Sequence, residues 1–136
     1  MVRRHIEYAN VVWCPFEDYV IVDIERVQKR ATKMVKKWNL PYKERLIAQQ
    51  LPTLKFRRIR GDMIEVYKIL SRVYDRQVCP NLARSENTRT RGNSMKLSTY
   101  RTKCDIRNYT FSNRIVKIWN SLPDVVVLAD CQLFQK

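Results

Sequence analysis

The stretch from Val20 to Trp38 limits what this chain can fold into more than any other segment. Val20, Ile24, Val27, Ala31, Met34 or Val35 and Trp38 recur every three or four residues, the period of one helix face. Arg26, Lys29, Arg30, Lys33, Lys36 and Lys37 fill the positions between them almost without an acid. The pattern predicts an amphipathic helix with one side to bury and another carrying dense positive charge. Two readings of the charged side stand next to each other. A phosphate backbone binds such a face through neutralised charges and released counterions, whereas Lys and Arg are also ordinary fillers of a solvated helix surface.

The charge is not confined to that helix. The chain of 136 residues holds 27 Lys and Arg against 13 Asp and Glu, a formal net charge of +14. Residues 1–38 carry eight basic and five acidic side chains, residues 39–75 eight and four, and residues 76–136 eleven and four. A spread of this kind suits a chain that lies along a polyanion, not a globule with a detachable basic tail. Hydrophobic residues make up 45% of the sequence, enough to exclude compositional disorder and to build one modest core. The longest apolar stretch, Val125-Val126-Val127-Leu128-Ala129, is far shorter than the roughly 18–20 residues of a membrane span. The N-terminus lacks the apolar centre of a signal peptide. No membrane partner is expected, and the expected location is intracellular, nuclear or cytoplasmic.

No catalytic constellation is visible. His5 is the only histidine, and a lone histidine on a helix suits surface or packing better than general base work. Cys14, Cys79, Cys104 and Cys131 form no C-x-x-C pair, so zinc is not expected and reduced, mostly buried thiols are. With only Gly61 and Gly92 available, no glycine-rich phosphate cradle can be built. Neither a cofactor nor a metal is predicted.

The punctuation predicts a mainly α protein, a small bundle of about five helices with a long irregular segment. A first helix is expected from Val2 to Trp13, ending before Pro15. A second runs from Glu17–Asp18 to Lys37 or Trp38, with the acids at the positive end of its dipole. Pro41 opens a third, carrying Tyr42 to Gln50. Thr53 caps a fourth that reaches Val73 or Tyr74, with Leu54, Ile59, Met63, Val66, Tyr67, Leu70 and Tyr74 as its apolar stripe. Gly61 inside that helix costs roughly 1 kcal/mol relative to alanine, which suggests a closely packed neighbouring helix. Periodicity lapses from Asp75 to Asn108, where loose alternation from Met95 to Tyr100 is compatible with a short β-hairpin over residues 95–110. Ser112 caps a last helix through Leu122, with Ile115, Ile118, Trp119 and Leu122 inward and Pro123 ending it. The organisation expected is a helical unit over 1–75, an irregular basic region over 76–110, and a C-terminal helix and tail over 111–136.

Several residues outside the second helix invite a phosphate reading. Thr88-Arg89-Thr90-Arg91-Gly92-Asn93-Ser94 places two arginines and several hydroxyls in a glycine-containing loop that can grip phosphates or simply be solvated. Arg114 and Lys117 share one face of the last helix. Arg57 and Arg58 are about 100° apart on theirs, so one of the two faces a given strand. Trp119-Asn120-Ser121-Leu122-Pro123 is better explained by a core tryptophan and a helix stop than by base stacking, and Trp13 and Trp38 are read as core in the same way.

These phrases together resemble a known family. Glu25 and Val27-Gln28-Lys29-Arg30-Ala31-Thr32-Lys33 are similar to a segment of non-LTR (LINE-type, jockey-like) retrotransposon reverse transcriptases, downstream of the polymerase palm. Before it come Val2-Arg3, Ile6-Glu7-Tyr8-Ala9 and Val12-Trp13 with Pro15. After it come Tyr42-Lys43-Glu44-Arg45-Leu46, Leu51-Pro52-Thr53-Leu54, Arg57-Arg58, Arg60-Gly61-Asp62-Met63 and Tyr67-Lys68-Ile69-Leu70. Thr90-Arg91-Gly92, Lys96-Leu97, Phe111-Ser112-Asn113-Arg114 and Trp119-Asn120-Ser121-Leu122-Pro123 complete the family's order over essentially the whole chain. Arg4 stands where the family often has proline, and Tyr109-Thr110-Phe111 replaces a more aromatic run.

The resemblance implies thumb and post-thumb regions of an RNA-directed DNA polymerase, without palm or fingers and with both ends cut. Polymerases hold two metal ions about 3.5–4 Å apart on converging carboxylates. Asp18, Asp23, Asp62, Asp75, Asp105, Asp124 and Asp130 include no adjacent pair, so the chain alone is expected to be non-catalytic. The resemblance implies sequence-nonspecific binding of RNA, DNA or hybrid, and docking on the missing polymerase domain. The alternatives are a helical interaction scaffold and an element remnant without selected function.

Overall fold

Four of the five prolines stand one to three residues ahead of a helix: Pro15, Pro41, Pro52 and Pro123. Proline presets φ for a helix start while steering the residue before it away from helix. The computed structural model describes residues 8–35, 39–75, 77–85 and 93–128. Among these the protein is mainly helical: α1 (Asp18–Val35), α2 (Tyr42–Ala48), α3 (Leu54–Leu70), α4 (Asp105–Asn108), α5 (Phe111–Ser121) and α6 (Asp124–Val127). Two compact units divide the chain, residues 1–61 and 62–136, so the division falls inside the range of α3.

In the first unit the expected opening helix lies partly outside the described residues, and its described end is not helical. Residues 8–12 form turns in which Ala9 takes φ 51° and its carbonyl accepts from Val12 N (2.9 Å) and Trp13 N (3.2 Å). An alanine in the left-handed region interrupts a right-handed helix. α1 begins where expected, but residues 36–38 lie outside the described set. Its inward side matches the predicted apolar stripe only in part: Val20, Ile24 and Ala31 are half-buried. Gln28 and Thr32 are its buried residues, whereas Val27, Met34 and Val35 are exposed. The reason is the neighbour: the segment after α2 offers one backbone carbonyl to α1 and one side-chain amide to a carbonyl of α1. Gln28 Nε2 donates to Pro52 O (3.4 Å), and Gln49 Nε2 donates to Thr32 O (3.2 Å).

α2 and α3 both end in a way glycine would normally supply. Gln50 (φ 51°) and Arg72 (φ 57°) adopt left-handed conformations. Leu51 N then reaches Leu46 O (2.8 Å) and Val73 N reaches Lys68 O (3.0 Å), six-to-one closures that satisfy the last carbonyls. This stops α3 at Leu70, before the expected Val73 or Tyr74. At its start Thr53 Oγ1 accepts from Phe56 N (3.3 Å), the cap the sequence predicts. Among the described residues no helix presses on Gly61: a Cβ built there meets Asn10 Nδ2 at 4.0 Å and no other described atom within that distance. The buried row of α3 includes Arg58 and Asp62 as well as Leu54, Met63 and Val66, so Arg58 faces inward, contrary to the sequence stripe.

The second unit is built on Val66, Leu97, Ile115, Val116, Trp119 and Val127, all buried. In α5 the inward residues are Ile115, Val116 and Trp119, while Ile118, expected inside, is 36% exposed. Thr110, not Ser112, occupies its N-cap. The hairpin expected over 95–110 does not form. Leu97 bridges antiparallel to Arg84, through Ser85 N to Lys96 O (2.9 Å) and Ser98 N to Ala83 O (2.9 Å), while residues 105–108 form the turn of α4. The alternating segment therefore finds its partner upstream.

Candidate nucleic-acid interface

α1 displays four cations on one side. At about 100° per residue, Arg26, Lys29, Arg30 and Lys33 fall within an arc of about 100°, and they span roughly 10 Å of axis. All four are exposed. Asp23 Oδ1 pairs with Arg26 Nη1 at 2.7 Å, both side chains more than half exposed, and removes part of that charge. No ion pair engages Lys29, Arg30 or Lys33 among the described residues. Lys36 and Lys37, which would prolong the face, lie outside the described residues.

The face is held by a clamp on Tyr42, the first residue of α2. Its hydroxyl donates to Glu25 Oε1, and Lys29 Nζ and Arg45 Cζ lie 5.3 and 5.8 Å from its ring centroid. Burial, then the hydrogen bond to Glu25 and that carboxylate's charge, push the phenol well above the ordinary tyrosine range. Tyr42 thus stays a donor and engages the carboxylate of Glu25. Lys29 stands over the aromatic ring with its charge uncancelled.

The other predicted residues have different fates. Arg57 is half-buried. Arg58 is buried, its guanidinium 5.6 Å from the Trp13 ring centroid. Trp13 is 39% exposed, not the core residue expected, and donates its indole N–H to Tyr8 O. Arg114 is committed elsewhere: Nε and Nη2 each donate at 3.0 Å to the two oxygens of Asp62, with side-chain exposures of 14% and 8%. This two-pronged buried pair fixes α5 against the C-terminal half of α3 and leaves Arg114 unsuited to grip a strand. Lys117, one turn further along, is exposed.

Arg89 and Arg91 lie outside the described residues, as do Trp38 and His5, but the end of their loop is described and is structural. Asn93 is 3% exposed and donates to Trp119 O (2.7 Å), and Ser94 N donates to Asp124 Oδ1 (2.6 Å). The Trp119–Pro123 phrase is structural throughout. Trp119 is buried and donates its indole N–H to Met95 O (2.9 Å). Asn120 accepts from Leu97 N and donates to Leu97 O, both at 2.9 Å, and Ser121 Oγ donates to Ile118 O (2.7 Å). Cys14 and Cys79 are half-buried and Cys104 exposed, so none of the described thiols is the buried one expected. Among the described residues no three His, Cys, Asp or Glu side chains gather as a metal site, and no helix is long and apolar enough to cross a membrane.

Sequence reasoning missed a cavity of about 690 Å³ in the second unit, lined by Thr99, Tyr100, Arg101, Thr102, Asn108, Asn113, Val116 and Lys117. Its residues come from an extended segment, the end of α4 and the middle of α5, so no spacing in the sequence announces them.

No protein-family model, curated protein or solved structure matches this chain.

Proposed function

We propose that this chain is a non-catalytic thumb and post-thumb part of a non-LTR retrotransposon reverse transcriptase, intracellular, which holds template–primer or element RNA by its phosphates. The family assignment rests on the ordered phrases of the sequence. The observation that carries the binding role is the face of α1, four cations over roughly 10 Å, with Asp23 paired to Arg26 and Glu25 held by Tyr42. A duplex presents about six charges over that length, so the supply of phosphates exceeds the cations. Nothing on the face offers the paired amide that reads a base edge, and binding is expected to ignore sequence.

Fluorescence anisotropy against labelled duplex, hybrid and single-stranded oligonucleotides from about 50 to 300 mM salt tests this reading. Each cation in contact contributes about 0.9 to the slope of log affinity against log salt on duplex. Lys29→Gln, Arg30→Gln and Lys33→Gln together are expected to flatten the slope by between two and three. An unchanged slope in the folded triple variant overturns the role of α1.

A second reading is favoured by Val27, Met34 and Val35, which are 45%, 84% and 73% exposed on α1. They suit docking on a polymerase domain or another helical protein. Apolar association of this kind survives high salt, whereas phosphate binding does not.

A further inference from the structure

The cavity in the second unit has a one-sided chemistry. Arg101 and Lys117 supply two exposed cations, Thr99 and Thr102 hydroxyls, Asn108 and Asn113 amides, and among the described residues no carboxylate lines it. Asn113 Nδ2 donates one of its two hydrogens to Arg107 O at 2.6 Å, which orients the amide and leaves Oδ1 as an acceptor and the second N–H as a donor. No hydrogen bond or ion pair engages the charged ends of Arg101 and Lys117 among the described residues. Tyr100 is 66% exposed, an aromatic ring kept out of the core beside these cations, and buried Val116 supplies an apolar wall. Residues 99–117 carry five basic side chains against Asp105 alone, and one of the five, Arg114, is consumed by Asp62. A volume of about 690 Å³ falls within the range of roughly 300–1,000 Å³ that holds small ligands.

We infer that this cavity takes one nucleotide of a single-stranded nucleic acid, its phosphate against Arg101 and Lys117 and its base against Tyr100. An unstacked base is required, because in a duplex both faces of each base are already occupied by neighbours. Lys103 and Arg107 flank the cavity in sequence and extend the positive potential along which a strand can continue. The assignment rests on the nucleic-acid reading above for the class of partner. It adds a separate site, in the other unit, with preference for single strands.

Anisotropy of the full chain against fluorescein-labelled decathymidylate and a labelled mixed-sequence duplex tests it. Tyr100→Leu is expected to weaken decathymidylate binding about tenfold, the lower-middle of what one stacked base contributes, and to leave the duplex within about twofold. Tyr100→Phe keeps the ring and restores binding. Arg101→Gln with Lys117→Gln lowers the single-strand salt slope by about 0.7, the value for one neutralised phosphate. Tyr100 is exposed, so loss of folding is not expected; circular dichroism of each variant verifies it. Tyr100→Leu binding decathymidylate like the parent, or losing both ligands equally, overturns the cavity assignment while leaving the α1 reading intact. An effect of Tyr100→Leu together with no effect of the α1 triple variant supports the cavity and removes α1. Displacement of decathymidylate by equimolar thymidine monophosphate shows a free-nucleotide site and overturns the strand. No binding of either oligonucleotide by the folded parent overturns both readings.

Discussion

The two units solve the same packing problem with different material. In residues 62–136, Met63, Val66, Leu97, Ile115, Val116, Trp119 and Val127 are buried, and the buried Asp62 has both oxygens engaged by Arg114. In residues 8–61, Leu46 and Leu54 are the buried apolar residues among those described, accompanied by buried Gln28, Thr32 and Arg58. Gln28 Oε1 and two nitrogens of Arg58 find no hydrogen-bond partner among the described residues, and in the second unit the same holds for Oδ1 of buried Asn93. Apolar burial supplies most of a small domain's stability, and polar clamps mainly fix its geometry. The second unit is therefore expected to be the stabler body, and in the first side-chain-to-carbonyl bonds position a charged surface. A binding face gains from this arrangement, since regions of low local stability are where ligand-dependent ordering occurs.

The largest test of that contrast is Trp119→Ala, expected to cost about 4 kcal/mol as a buried aromatic is truncated. Urea unfolding with hydrogen exchange should show α5 and residues 93–98 losing protection while α1 and α2 keep theirs. Equal loss in both units shows instead that they unfold as one. Next is Arg114→Met, which strands the buried Asp62 charge and is expected to cost about 3 kcal/mol. Adding Asp62→Leu should recover most of it in a double-mutant cycle, and a cycle without coupling removes the pair from the ledger of the second unit.

Tyr42→Phe probes the clamp of the first unit and is expected to cost about 1.5 kcal/mol at pH 7, the scale of a hydrogen bond to a charged acceptor. Its pH signature has a definite sign. The folded phenol titrates above the unfolded one, so its contribution is complete below pH about 10 and declines as pH rises beyond that. The variant should lack this decline, so the difference between parent and variant urea midpoints must shrink above pH about 10; a constant difference excludes the Glu25 bond as its source. The smallest effect comes from Gln50→Gly and Arg72→Gly, one in each unit. Relief of left-handed strain, less the extra freedom glycine gives the unfolded chain, is expected to stabilise each by about 0.5 kcal/mol in thermal melts. A loss at either position means its side chain makes a contact that outweighs the strain.

Helix positions were legible because their signals are local: Pro41 ahead of Tyr42, Thr53 ahead of Leu54, Pro123 after Leu122. Which side of a helix faces in was less so. On α1 the hydrophobic period pointed to Val27 and Met34, yet the surface opposite presents the carbonyl of Pro52 and the side chain of Gln49, and these select Gln28 and the backbone of Thr32. The stop of α2 was legible to within two residues from Pro52 and that of α3 was placed three residues late; the left-handed turns that make both stops were invisible, because Gln50 and Arg72 carry no sign of one. The α1 face was visible as charge at helical spacing. Arg114 looked identical to Lys117 in that reading, and only Asp62, 52 residues away in sequence, separates their roles.

Asn120 has a consequence beyond helix packing. Leu97 turns one edge of its backbone toward residues 83–85, and the amide of Asn120 occupies both polar groups on the other edge. A side chain thus stands in for the next strand. Exposed strand edges recruit copies of themselves from other molecules, and proteins guard against it by covering or charging them. Here a single carboxamide terminates the pairing after one bridge, so this short extended segment offers neighbouring molecules no template to grow on.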